Sequence, residues 1–318
     1  MIRAVRVLLI GVATAHTTGA QSIATADSLF QRGILDRAES LYYGAARLRP
    51  RDPTARLGLA RYLAGRGSAR TAVTLFEEAL RFGGDTTQIS ADLAPLYLGL
   101  WQYRSLLGLR LSAVSVAERE RARWLGAHPT RLIAPDSLIT VFYQPLAENN
   151  GRLGRMAIRV NGRIVEAVIA VTTSGVVLSD SVATATRLRR FAGGYGRGAP
   201  SSLDDIATAD SISMGRLTLT NFPARVSQMS TPAIIGTDVL GKLAPTFDPG
   251  TGRMVLRVSG SVPSGLPGDR FPTWSTTTDL KVLQTGGWMS VAQPQIAQML
   301  VGRVWTLDAK RGQIVLSR

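Results

Sequence analysis

Residues 156–179 read Met156-Ala157-Ile158-Arg159-Val160-Asn161-Gly162-Arg163-Ile164-Val165-Glu166-Ala167-Val168-Ile169-Ala170-Val171-Thr172-Thr173-Ser174-Gly175-Val176-Val177-Leu178-Ser179. Asn161-Gly162 between two apolar runs is the strongest short signal for a β-hairpin. Met156 to Val160 and Ile164 to Val171 are its strands. Three hydroxyl residues, Thr172, Thr173 and Ser174, then separate the second strand from Val177-Leu178-Ser179. Neither Ala170 nor Val171, where that strand ends, carries a group that can hold or release a proton.

This order resembles the active-site hairpin of retropepsin-like aspartic proteases. That family has a strand, a Val-Asn-Gly turn, an apolar strand, Asp-Thr-Gly-Ala/Ser and a Val-Leu-Ser segment. Here the aspartate position holds Ala170, or Val171 if the register slips by one. Later landmarks follow in family order. Gly215-Arg216-Leu217-Thr218-Leu219 matches the strand after the flap, and Ile235-Gly236-Thr237-Asp238-Val239-Leu240 matches the segment that opens a short helix. The hairpin from Asp248 to Leu256 matches the family's last one, so the resemblance covers residues 138–258.

A shortened echo follows. Leu307 to Leu316 aligns without gaps to Phe247 through Leu256. Leu280-Lys281-Val282-Leu283-Gln284-Thr285-Gly286-Gly287 reads as a strand and its Asp-Thr-Gly-Ala loop, with Gln284 in place of aspartate. Ala170 precedes Asp248 by 78 residues, whereas Gln284 precedes Asp308 by 24. The resemblance therefore implies a pepsin-like pair of lobes, the second truncated. The aspartic mechanism needs two carboxyl groups sharing a proton. Ala170 and Gln284 supply none, and glutamine hydrogen-bonds without ionising.

Upstream, residues 25–82 repeat with a period of 34. Gly33, Ala38, Tyr42 and Ala45 recur as Gly67, Ala72, Phe76 and Ala79. This is similar to the tetratricopeptide repeat, in which small residues let paired helices approach and an aromatic fills the gap between units. Leu59 and Ala60 fit the second unit's first helix. A weaker third unit starts near Ile89 with Leu93, Ala94 and Tyr97 in phase, and leads into one long helix through Val114, Arg119 and Trp124. The expected fold is multidomain: an all-α tetratricopeptide-like region (21–130), an all-β retropepsin-like first lobe (131–260) and a truncated second lobe (261–318).

Composition narrows the chemistry. The 318 residues are 45% hydrophobic and 19% charged, as in globular proteins. Absence of cysteine excludes disulfides, thiol catalysis and thiolate metal sites. His16 and His128 are the only histidines, and His128 stands in a helix-ending Gly126-Ala127-His128-Pro129. No metal or cofactor is expected. Net charge is +15, and only Lys242, Lys281 and Lys310 of the 37 basic residues are lysine. The arginines are dispersed, which suits anionic envelope surfaces or acidic partners and is no nucleic-acid motif.

Among the acids, Asp238, Asp248 and Asp308 read as cap and turn residues. Asp204, Asp205 and Asp210 read as a capped helical turn, without calcium-loop spacing. Gly193 to Gly198 corresponds to the family's flap. The resemblance thus implies a cleft lined by Thr172, Thr173, Ser174, Thr285, Gly286 and Tyr195 that holds an extended peptide without cutting it. The alternative is a working aspartic-type peptidase whose acids lie elsewhere. Residues 1–20 combine Arg3 and Arg6, an apolar run from Val7 to Ala15 and a Thr18-Gly19-Ala20 cleavage site, the pattern of a signal peptide. The expectation is export to the periplasm or outside the cell. The mature chain should begin near Gln21, and intact-mass measurement of the exported protein checks this.

Overall fold

A computed structural model describes residues 21–110, 114–146, 151–191, 205–275, 279–285, 287–300 and 303–317. The proposed signal peptide, the Gly193–Gly198 flap with Tyr195, Asp204 and Gly286 lie outside the described residues. The chain is a helical N-terminal region followed by a β-rich region containing a closed barrel. No helix among the described residues is long and apolar enough to cross a membrane.

Helices pair along the chain: α1 (21–31) with α2 (Leu35–Leu48), α3 (Pro53–Gly65) with α4 (Ala69–Arg81), and α5 (Thr86–Gly99) with the short α6 (Tyr103–Leu107). Caps set several starts. Asp52 accepts from the Thr54 amide at 2.9 Å with Pro53 opening the helix, and Asp85 accepts from Thr87 at 2.8 Å. Ala26, Ala60, Ala38 and Ala72 are fully buried, so the paired helices pack at small-residue contacts. Tyr42 and Phe76, 34 residues apart, fill equivalent buried positions.

The turn inside each pair is the same device three times. Gly33 and Gly67 have φ of 74° and 85°, and the position 34 residues further is Trp101, with φ of 60°. Each amide bonds the carbonyl three residues back, and the next amide bonds the one five before it. This closes the helix through a left-handed residue. The single long helix expected after the third unit is instead two, α6 and α7 (Val116–Ala127). Gly108 ends the first, and Ser115 caps the second by accepting from the Glu118 amide at 3.1 Å.

The β-rich region holds two sheets. In the first, β4 (Arg152–Val160), β5 (Arg163–Ala170), β6 (Val176–Ser179), β8 (Asp205–Met214), β9 (Leu217–Ser227) and β10 (Ala233–Gly236) close on themselves in the order β9-β6-β10-β5-β4-β8, with β8 returning to β9. β1 (Arg131–Ile133) and β7 (Arg189–Phe191) extend it, β3 (Gln144–Pro145) pairs with β4, and the short α8 (Asp180–Ala185) follows β6. Asp205 and Asp210 lie on β8, not on a helical turn. Buried Ala207, Thr208, Ala209, Ile212 and Met214 commit that segment to the barrel.

The second sheet contains a register match. β11 (Thr246–Asp248) pairs β12 (Arg253–Arg257), and β16 (Trp305–Asp308) pairs β17 (Gln313–Leu316). Phe247 lies opposite Met254 as Leu307 lies opposite Ile314, at a constant offset of 60 residues. The hairpins meet where Thr246 pairs with Thr306, its own counterpart, with the hydroxyls 2.7 Å apart. Their outer neighbours, β2 (Leu138–Phe142) and β13 (Asp269–Ser275), also occupy corresponding places. The centre of this sheet is thus two-fold in pattern. Asp248 accepts from the Thr251 amide and Asp308 from the Arg311 amide, both at 3.2 Å, so each acid closes the turn of its own hairpin. β14 (Leu280–Gln284) and β15 (Gly287–Ser290) continue the sheet beyond β13.

The helical turns seat on the β region. A Cβ on Gly33 would run into Leu283, one on Gly65 into Trp274, and one on Gly67 into the Ala309 carbonyl. Arg66 donates to the Thr273 and Gly312 carbonyls at 2.6 and 2.8 Å. Trp101 meets Phe222 edge-on at 6.2 Å and packs against both hydrophobic cores. Buried Arg121 pairs with Glu118 and donates to the Ala207 and Ala224 carbonyls of β8 and β9.

Three glycines separate backbone strain from docking. Gly83 has φ of 86° with open space around it, so Gly83→Ala should cost about 1 kcal/mol, the left-handed penalty alone. Gly33→Ala adds a clash with a movable leucine, and Gly67→Ala one with backbone. Chemical unfolding of the full chain should rank the losses Gly83 below Gly33 below Gly67.

Candidate functional site

Ala170 ends β5, buried, beside Gly236 of the parallel strand β10 and Arg152 of β4. Val171 is buried too, and its amide bonds the Gly151 carbonyl at 2.8 Å. The chain then turns outward. Thr172 is exposed, Thr173 and Ser174 are half-buried, and Gly175 reverses direction at φ of 73°. Gly236 donates to the Gly175 carbonyl at 2.8 Å. Any side chain at 236 would overlap the Thr173 carbonyl, which explains glycine there.

One carboxylate reaches this loop by a described hydrogen bond. Asp238 Oδ2 accepts from Ser174 Oγ at 2.9 Å, and Oδ1 accepts from the Gly175 amide at 2.9 Å. Asp238 lies in the first turn of α9 (Thr237–Gly241), yet these bonds go to the loop after β5. Its carboxylate crosses to the neighbouring loop, where an unpaired amide is available. Arg225 of β9 donates to the Ser174 carbonyl at 2.7 Å.

Lys242 follows Asp238 by one helical turn and lies 5.8 Å from the Trp101 ring centre. Burial pushes its ammonium below the ordinary lysine range, and Asp238 opposes the shift. The repeat's third turn thus touches the short helix that holds the loop. Sequence reading passed over Asp238, Arg225, Lys242 and Trp101 as site neighbours. Asp238 looked like a cap, and Arg225 is one of many dispersed arginines.

Gln284 lies on the other sheet, at the end of β14 opposite Gly287, and its Nε2 approaches Met299 Sδ at 3.5 Å. Thr285 is exposed in the following turn. This hairpin leans on the helices: Trp288 donates from Nε1 to the Phe30 carbonyl at 2.9 Å, and Phe30 packs against Trp274 and Trp288. Among the described residues no hydrogen bond or strand pairing joins Ala170 or Thr172–Ser174 to Gln284 or Thr285. The approach between the halves is instead at Gly151, where an added Cβ would touch both Thr172 and Ala292. His128 ends α7, with Nδ1 3.0 Å from the Trp124 carbonyl and its ring stacked on Trp124. Among the described residues no three His, Asp or Glu side chains converge as a metal site would require.

No family model matches the chain, and no curated protein matches it. Among solved structures, a retropepsin-like aspartic protease from Rickettsia conorii is similar over 40% of this chain and 92% of its own, at 15% identity and a TM-score of 0.27. The retroviral protease-like domain of Ddi1 from Leishmania major is similar over 33% of this chain and 78% of its own, at 14% identity and a TM-score of 0.20. Both likenesses are partial.

The Asp238 clamp has a direct readout. Asp238→Ala should speed hydrogen exchange at the Gly175 amide and cost about 1 kcal/mol in stability, because the freed groups can turn to water. Asp238→Asn keeps an acceptor and should retain most of the protection.

Proposed function

We propose that this is an exported peptide-binding or scaffolding protein in which a tetratricopeptide-like array carries a catalytically silent aspartic-protease-like module with a truncated second lobe. The observation that carries the reading is the loop after β5. The barrel strand runs into it at Ala170, and the carboxylate that contacts it, Asp238, is held by Ser174 and Gly175. A lone carboxylate cannot divide the acid and base roles of the aspartic mechanism. The register match of β11–β12 with β16–β17 supports a duplicated ancestry for the two halves. An extended segment would lie across Thr172, Thr173 and Ser174 by strand addition.

A second reading has one observation in its favour: Asp238 is exposed and hydrogen-bonded to a hydroxyl in this loop. An aspartic-type peptidase would then use Asp238 with an acid from elsewhere. One experiment separates the two. The purified chain, incubated with a peptide library from acid to neutral pH, should release no new termini. Cleavage that a statine-type transition-state mimic blocks and Asp238→Asn abolishes would establish the peptidase and overturn the silent module.

A further inference from the structure

The β4–β5 hairpin leaves one face uncovered. Arg155, Ala157, Arg159, Ile164 and Glu166 alternate outward, while Met156, Ile158 and Val165 face the core. Ile164 is 67% exposed. Beside this face the chain passes from one sheet to the other at Tyr143, whose amide bonds the Gly252 carbonyl at 2.9 Å. The residue before it, Phe142, is 68% exposed, and Arg253 lies 5.8 Å from its ring centre. Together these segments border a groove of about 480 Å³. Large exposed apolar side chains flanking a concave surface mark interaction sites.

The charges select the partner. Arg155, Arg159 and Arg253 are exposed around the groove, with Arg152 and Arg163 at the two ends of the hairpin. The acid within the groove is Glu166, bound to Arg155 at 3.1 Å. Asp248, near the rim, is engaged by the Thr251 hydroxyl and amide. The field over the groove is therefore positive while its floor is apolar. A concavity of this size admits a side chain, whereas a bilayer surface would meet only its rim.

We propose that this groove docks an acidic protein segment that inserts one bulky apolar side chain between Phe142 and Ile164 and sets carboxylates against Arg155, Arg159 and Arg253. The site is separate from the loop after β5. Ile164 precedes Ala170 by six residues on β5, about 20 Å along the strand. The inference does not depend on whether that loop binds or cleaves peptides.

The test uses the full chain and fluorescence anisotropy of a short labelled Asp/Glu-rich peptide with a central leucine. Saturable binding is expected, weakening as salt screens the charges. Phe142→Ser with Ile164→Ser should weaken it about tenfold, as loss of an apolar anchor does. Arg155→Ala with Arg253→Ala should weaken it as well, which keeps the proposal testable should the first variant unfold on circular dichroism. A peptide with glycine for the leucine should bind more weakly than the parent. Equal binding by both peptides, or no change in either double variant, would overturn the proposal. So would the same variants abolishing binding to phosphatidylserine vesicles with the peptide unaffected, or dissolving a dimer seen by sedimentation.

Discussion

Thr246 and Thr306 face each other across two neighbouring strands, and the organisation of the β region depends on that pairing. Each threonine opens a hairpin closed by an aspartate, and the hairpins present their partners in the same register. The half-buried hydroxyl pair at the contact satisfies both side chains locally. A slip of one residue would turn Phe247, Trp305 and Leu307 away from the core. The second hairpin joins the first at the edge of β11, and Trp274 and Trp288 pack against the helical core.

The helical array meets the rest of the molecule by one recurring element. Positions 33, 67 and 101 share a left-handed turn, and each faces a different acceptor: Leu283, the Ala309 carbonyl, and Phe222 with Lys242. Glycine at the first two lets backbone approach closely. Tryptophan at the third accepts an unfavourable φ and gains a ring lodged between two cores. Through Lys242 and α9 the same ring stands one helical turn from Asp238, so the candidate loop and the array share a mechanical support.

Much of this was legible from residue patterns. Asn161-Gly162 located the barrel hairpin, the 34-residue spacing located the paired helices, and the echo of 247–256 in 307–316 located the matched hairpins. What escaped was set by tertiary context. An aspartate at the start of a helix reads as a cap, and nothing local reveals that Asp238 turns to Gly175. Asp205 and Asp210 carry a polar bias toward loops that the burial of Ala207, Ala209, Ile212 and Met214 overrides. Trp101 broke the glycine pattern and so hid the third turn, although its position kept the period. Gln284 read as the counterpart of Ala170, and nothing local reveals that its amide turns to Met299.

The row of seated turns has a consequence for how the chain can change length. A free solenoid tolerates gain or loss of a unit, since each repeat touches only its neighbours. Here every unit is keyed to its own socket on a rigid partner. Inserting one 34-residue unit between the first and third would carry Trp101 beyond Phe222 and set a foreign turn against Ala309. The array is a template of fixed length, so the module counts its own repeats.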